Sequence, residues 1–211
     1  MADVERKTKR YPTDLTDAEW AVIQPLLPKP PKRGRKPGVD MREVLNAIRY
    51  MARSGGGWRM LPIHFGPWQT IYWWFRRFVR RLLFRTIHDI ALMLDRERAG
   101  REASPSGGVL DSQTVKAPSA EKRGFDAAKK IVGRKRHLLT DTLGMLLAVV
   151  VHPASVQDRD GAEPLLRQAR RLFPFIERII GDAGYQGPKM ATAIARTGRW
   201  KIEIVHRCDR H

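Results

Sequence analysis

A single cysteine, Cys208, stands among the 211 residues. That excludes an internal disulfide and a four-cysteine zinc site, and it fits a reducing compartment. Long apolar runs are missing as well: the longest, Met145 to Val151, falls far short of the ~20 residues a spanning helix needs. The opening Met-Ala-Asp-Val-Glu-Arg-Lys-Thr-Lys-Arg has no apolar segment behind its charges, so a secretory signal is not expected and a cytoplasmic, nucleoid-associated location is. Acidic residues are scarce: 22 Asp and Glu face 40 Lys and Arg, a formal charge of +18. Such an excess favours a polyanionic partner, nucleic acid first. An anionic membrane is the weaker candidate, because the basic residues are scattered along the chain instead of lining one amphipathic helix. With 42% hydrophobic content, the chain has enough material for one ordinary core and a small accessory domain. Internal repeats and low-complexity tracts are absent.

Helical patterning fills residues 1–98. Thr16 followed by Glu19 is a capping box, and Trp20, Ile23, Leu26 and Leu27 supply an apolar face behind it. Pro25 to Pro31 ends that helix. Lys32-Arg33-Gly34-Arg35-Lys36-Pro37 then reads as a basic linker, with Arg33, Arg35 and Lys36 as a flexible arm for a minor groove. A second helix opens at Asp40, with Glu43 as a capping partner and Val44, Leu45, Ile48, Met51 and Ala52 at helical spacing. Ser54-Gly55-Gly56-Gly57 stops it. After Trp58 to Phe65 and the break Gly66-Pro67, an aromatic-rich helix runs from Trp68 to about Arg81. Helix, glycine-containing turn and helix outline a helix-turn-helix with the second member as recognition helix. Gln69, Thr70, Tyr72, Arg76 and Arg77 then face DNA while Ile71, Phe75 and Phe78 pack inward. The competing reading is that Trp68, Trp73, Trp74 and Phe75 are simply core. A helical tail from Leu82 to Arg98 leads into the Gly, Ser and Pro-rich residues 99–108, the expected linker.

Strand patterning takes over in residues 109–211. Val109 to Val115, Arg136 to Thr140 and Met145 to Val151 are strand-like, with Asp141-Thr142-Leu143-Gly144 as a hairpin turn between the last two. A helix from Asp160 to Leu172 follows, with Asp160 and Glu163 as a capping pair and Pro164 close enough to its start to be tolerated. Phe175 to Ile180, a helix over Pro188 to Ala195 and a strand over Trp200 to Val205 complete the order βββαβαβ. The expected class is therefore mixed α and β: a helical domain, then a ribonuclease H-like core in which the first and fourth strands lie side by side.

Asp111 and Asp182 stand at the exits of the apolar runs Val109-Leu110 and Ile179-Ile180-Gly181. In that plan they meet, and their mutual repulsion favours a divalent cation between them. Mg²⁺, or Mn²⁺, takes one or two carboxylates together with phosphate oxygens, which suits attack on a phosphodiester. From spacing alone the two remain equally readable as turn or cap residues, as Asp158 and Asp160 are at a helix start. Lys129, Lys130, Arg134, Lys135, Arg136 and His137, with Lys116 beside the first acid, form a basic cluster that either follows a DNA backbone or is a solvated strand. His64, His88, His152 and His206 show no metal-ligand spacing.

Three strings carry a resemblance: Leu110-Asp111-Ser112-Gln113-Thr114-Val115-Lys116, Gly133 to Gly144 through Arg134-Lys135-Arg136-His137, and Gly181-Asp182-Ala183-Gly184-Tyr185-Gln186-Gly187. They resemble bacterial insertion-sequence transposases of the DDE class, in the insertion-sequence family five group. Leu15-Thr16-Asp17-Ala18-Glu19-Trp20, Gly57-Trp58-Arg59-Met60-Leu61-Pro62 and Gly66-Pro67-Trp68-Gln69-Thr70 resemble the helical domain preceding that core, which adds Arg59 to the DNA-contact set. The resemblance implies two aspartates and a glutamate that nick transposon ends and join them to target DNA, in a homo-oligomer when active. Asp111 matches the first acid and Asp182 the second. Nothing matches the third, since Glu203 sits within a strand and Asp209 in a short tail, so an incomplete, C-terminally truncated core and an inactive site are expected. The rivals are a non-catalytic DNA-binding or regulatory fragment, and a nuclease or resolvase on the same plan.

Overall fold

The computed structural model describes residues 10–29, 38–117 and 121–205. Arg33, Arg35 and Lys36, with His206, Cys208 and Asp209, lie outside the described residues. The chain divides into two compact units, Met1–Leu94 and Asp95–His211.

The first unit is helical. Helix α1 (Asp17–Ile23) starts at the expected capping box: Glu19 N donates to Thr16 Oγ1 and Thr16 N donates to Glu19 Oε2. Helix α2 (Met41–Ser54) starts at Asp40, which accepts from Arg42 N. Glu43 does not complete a box there; it pairs with Arg10 and accepts from Asn46. Gly55, in the left-handed region at φ 69°, closes α2, where a side chain would be strained. Residues 55–67 carry two single 3₁₀ turns before α3 (Trp68–Arg80). That connection is much longer than the ~3–4-residue turn of a helix-turn-helix. Val44, Ile48, Met51, Phe65, Ile71, Trp74 and Phe78 are buried together. Leu82, at φ 54°, breaks the helical run before α4 (Leu83–Arg98).

The second unit is built on a six-stranded mixed sheet among the described residues. Strand β1 (Gly107–Lys116) is antiparallel to β3 (Ile131–Thr140) on one side and parallel to β5 (Arg178–Asp182) on the other. Beyond β5 lies β6 (Lys201–Val205), also parallel, and beyond β3 lies β4 (Leu146–Pro153), antiparallel. A short strand, β2 (Gly124–Asp126), pairs with the start of β3; its three residues give too little alternation to be read from sequence. Gly107 and Gly108, expected in a linker, begin β1. The Asp141–Gly144 hairpin forms as expected: Asp141 Oδ1 accepts from Leu143 N and Met145 N, and Gly144 takes φ 81°. Helix α5 (Asp158–Leu172) begins two residues before the expected Asp160, and the residue preceding it, Gln157, makes no side-chain cap. The Asp160–Glu163 capping pair does not exist. Asp160 instead contacts Lys189 on α6 (Pro188–Thr197), and Glu163 pairs with Arg167. Helix α5 buries Ala162, Leu165, Leu166 and Ala169.

Candidate active site

Strands β1 and β5 pair in parallel as Gly107 with Arg178, Gly108 with Ile179 and Val109 with Ile180. Two residues further on, each strand carries an aspartate. Since side chains alternate along a strand, Asp111 shares its face with Val109 and Asp182 shares its face with Ile180. Continued two residues past the last pair, this register directs both carboxylates to one face at neighbouring positions. Both are exposed. Asp111 lies inside β1, as the strand expected over Val109 to Val115 requires: β1 continues to Lys116, paired with β3 throughout. What ends near Asp111 is the pairing with β5, and this opening of the sheet exposes the carboxylate. Asp182 is the last residue of β5.

Each aspartate spends one oxygen locally. Asp111 Oδ1 accepts from Ser112 N at 2.7 Å, and Asp182 Oδ1 accepts from Gly184 N at 2.9 Å, capping the 3₁₀ turn Ala183–Tyr185. Among the described residues, neither second oxygen takes a hydrogen bond. Tyr185 reaches the same opening from within: it is 1% exposed, and its hydroxyl makes no hydrogen bond of ordinary geometry, though Ser112 is its neighbour. Burial, and after it the charges of Asp158, Asp111 and Asp182, push the phenol's pKa far above its usual value. One hydroxyl thus senses all three carboxylates.

Asp158 is the residue that sequence reasoning set aside. Its Oδ1 accepts from Lys135 Nζ at 3.1 Å, and the same ammonium lies 3.4 Å from Asp126 Oδ2. Asp126 accepts in turn from Thr114 Oγ1 and, at 3.1 Å, from Lys129 N; the Thr114 bond is the chief reason its pKa lies below the usual carboxylate value. A cleft of about 390 Å³ opens here, with Asp126, Lys135, Asp158, Arg159 and Gly184 in its wall. Helix patterning could have found Asp158 only as a first-turn acid. Its role in this network depends on β3 placing Lys135 beneath α5.

The alternation of β3 divides the expected basic cluster. Lys135 and His137 point under α5 and are buried, at 6% and 0% exposure, whereas Arg136 is exposed and Arg134 half-buried. Lys135 is thereby occupied by two carboxylates. Lys116 is exposed at the end of β1. On α3, Gln69 and Arg76 are exposed, and Thr70, Tyr72 and Arg77 are half-buried. Tyr72 packs on Trp58 and Phe75, while Arg77 lies over the Trp73 and Trp74 rings. Arg59 is exposed, 5.8 Å from the Trp68 ring centre. Trp74 is buried as the core reading requires, but Trp73 is 53% exposed. With Arg76, Arg77, Arg80 and Arg81 it lines a cleft of about 410 Å³. Trp73 and Arg80 were missed as surface candidates; their spacing with Gln69 and Arg76 along the helix was the available signal.

A family model for the transposase DDE domain matches residues 102–211, and a model for transposases of the IS4/5 family matches residues 15–88. The chain belongs to the insertion-sequence DDE transposases. This transposase is 32% identical to the uncharacterized protein y4sN of Sinorhizobium fredii over 103 residues, which span 49% of the chain and 76% of that protein. It is 30% identical over 112 residues to the insertion element IS402 uncharacterized 16.2 kDa protein of Burkholderia cepacia, spanning 50% of the chain and 75% of that protein. No helix among the described residues is long and apolar enough to cross a membrane.

DDE transposases use a divalent metal. In this transposase the donor set fits a hard cation: two exposed carboxylates at neighbouring positions, each with an oxygen to spare. Among the described residues no three acids or histidines converge closely enough to ligate one ion directly. Glu203, the nearest match considered for a third acid, lies on β6 and is 3.7 Å from Arg178.

Proposed function

We propose that this transposase binds double-stranded DNA at insertion-sequence ends and holds at Asp111 and Asp182 the cation used for phosphodiester cleavage and strand transfer. The observation that carries the reading is the parallel register of β1 and β5, in which Asp111 and Asp182 each follow two residues after the last paired residues, Val109 and Ile180. The strand order β4-β3-β1-β5-β6, with α5 following β4, supports a ribonuclease H-like plan for the core. A bound Mg²⁺ or Mn²⁺ would stabilise charge on the phosphoryl oxygens and activate a water or 3′-hydroxyl. Asp111 and Asp182 hold it, and the local hydrogen bonds to Ser112 N and Gly184 N fix their orientation.

The formal charge of +18 supports DNA as partner. On α3 the exposed Trp73, Arg76 and Arg80, with Gln69, present a face suited to phosphates and sugar edges. The second unit carries its own exposed basic residues, Arg136 and Lys116. Synapsis of two ends calls for a homo-oligomer.

A second reading is favoured by one observation: among the described residues no third acid, histidine or cysteine joins Asp111 and Asp182 closely enough to ligate one ion with them. On this reading the chain by itself binds DNA without nicking it. Both are tested with a plasmid carrying insertion-sequence ends. The chain alone should shift the DNA in a salt-sensitive manner and leave it unnicked in Mg²⁺. Fused to the third-acid segment of a complete family member, it should nick, and Asp111→Asn or Asp182→Asn should reduce nicking at least a thousandfold. Undiminished nicking by either variant rules out the assigned site.

A further inference from the structure

We propose that Asp158 is a third carboxylate of the cation site, acting on the ion through a bound water while Lys135 holds it in place. The inference rests on the assignment of Asp111 and Asp182 as the cation's ligands.

Two independent observations meet at this point. The first is the position of Gly184. A Cβ built there would lie 3.0 Å from Asp182 Oδ1 and 3.4 Å from Asp158 Oδ2, so the two carboxylates flank the same glycine. Asp182 Oδ1 and Asp158 Oδ2 are at most the sum of those lengths apart, so a metal ion held on the other oxygen of Asp182 reaches Asp158 through its waters. Mg²⁺ keeps several waters when it binds protein carboxylates, so such an arrangement is ordinary for it. The second is Tyr185, whose buried hydroxyl makes no hydrogen bond of ordinary geometry, even with Ser112 beside it, and lies within electrostatic reach of Asp158, Asp111 and Asp182. A buried hydroxyl left without a partner is costly. A water on the cation would satisfy it.

The two oxygens of Asp158 divide the work. Oδ1 accepts from Lys135 and lies 3.8 Å from His137 Nε2; Oδ2 turns toward Gly184. Lys135 is itself held by Asp126, so the Asp158 side chain is anchored on its inner oxygen and offers the outer one. Asp158 belongs to α5, and β1 and β5 no longer pair at the level of Asp111. Through that opening a carboxylate from the helix side acts on an ion held at the strands. It is a positioning residue, since it touches the ion only through water.

The test is calorimetric titration of Mn²⁺ into the full chain and four variants. Wild type should bind, and Asp111→Asn and Asp182→Asn should lose binding. Asp158→Asn, which keeps an oxygen for Lys135, should weaken Mn²⁺ affinity about 10- to 100-fold, the range for a group acting through the inner shell. Asp158→Glu should restore it to within a few-fold of wild type, which a purely structural role does not require. Wild-type affinity in Asp158→Asn, with Asp111→Asn and Asp182→Asn impaired, overturns the role of Asp158 and leaves the two-aspartate site standing. Failure of Asp158→Glu to restore binding also overturns it. If wild type binds no Mn²⁺, or if the Asp111 and Asp182 variants bind normally, the underlying site falls and Asp158 with it.

Discussion

Lys135 Nζ sits 3.1 Å from Asp158 Oδ1 and 3.4 Å from Asp126 Oδ2, so one buried strand lysine ties the start of α5 to β2. Two carboxylates share one ammonium; Lys135 and Asp126 are buried, and Asp158 is partly exposed. Lys135→Met removes the only cation of this trio and leaves Asp126 and Asp158 to be satisfied by other donors. Loss of one partner from a buried ion pair costs roughly 3–5 kcal/mol. Urea unfolding of the variant should show a loss of this size. A change below about 1 kcal/mol would mean that the network is solvated and weak.

His137 should set a pH dependence of stability. Burial first, and the neighbouring His152 second, hold its pKa down at about 4 against the usual 6.5. Between these values the unfolded chain binds a proton that the folded protein does not. Stability is therefore fully present above pH 6.5 and falls as the pH drops toward 4, by roughly 3 kcal/mol for a shift of this size. Denaturant midpoints for wild type and His137→Leu across this range are the check. The variant should have a flatter profile, with a remainder from His152, whose pKa burial also lowers. Parallel profiles would contradict the assignment.

Gly161 lies in α5, where an alanine ordinarily helps a helix by roughly 1 kcal/mol. Here a Cβ would come within 2.1 Å of the His137 ring. Overpacking a core costs about 1–3 kcal/mol, so Gly161→Ala should lower the melting temperature. In a His137→Ala background the same substitution should be neutral or stabilising. Stabilisation in the wild-type background would show that α5 and β3 are not packed this closely.

Much of this was readable from residue order. The Thr16–Glu19 box, the Asp141–Gly144 turn and the burial of Leu165, Leu166 and Ala169 follow from local chemistry and periodicity. The mixed helical and strand layout followed as well. Asp111 and Asp182 are conspicuous as polar residues after apolar runs, but it is the resemblance of the strings around them that makes them candidates for a cation. Legibility failed where tertiary pairing decides. The parting of β1 from β5 just before Asp111 is one such case, because strand patterning over Val109 to Val115 does not say which neighbour stays paired. Lys135 belongs to a basic string, yet alternation turns it inward, where Asp126 and Asp158 meet it. Asp158 looked like a helix-start acid, and only the approach of Gly184 and Tyr185 distinguishes it from one. On α3, the exposure of Trp73 depends on which face α2 and the 3₁₀ turns cover.

The arginine face of α3 makes a prediction about ionic strength. The logarithm of DNA affinity falls with the logarithm of salt concentration by about 0.9 for each phosphate neutralised. Arg76→Ala and Arg80→Ala should each reduce that slope by about one, as expected for arginines on phosphates. Fluorescence anisotropy with a duplex over a range of salt concentrations measures this. Unchanged slopes in both variants would place the DNA elsewhere on the protein.

The central claim is that Asp111 and Asp182 hold one divalent cation together. Its most direct measurement is the anomalous difference map of crystals grown with Mn²⁺. A peak within ligand distance of both carboxylates is the expected result. A map with no peak there, or with Mn²⁺ bound only at other groups, would contradict the account.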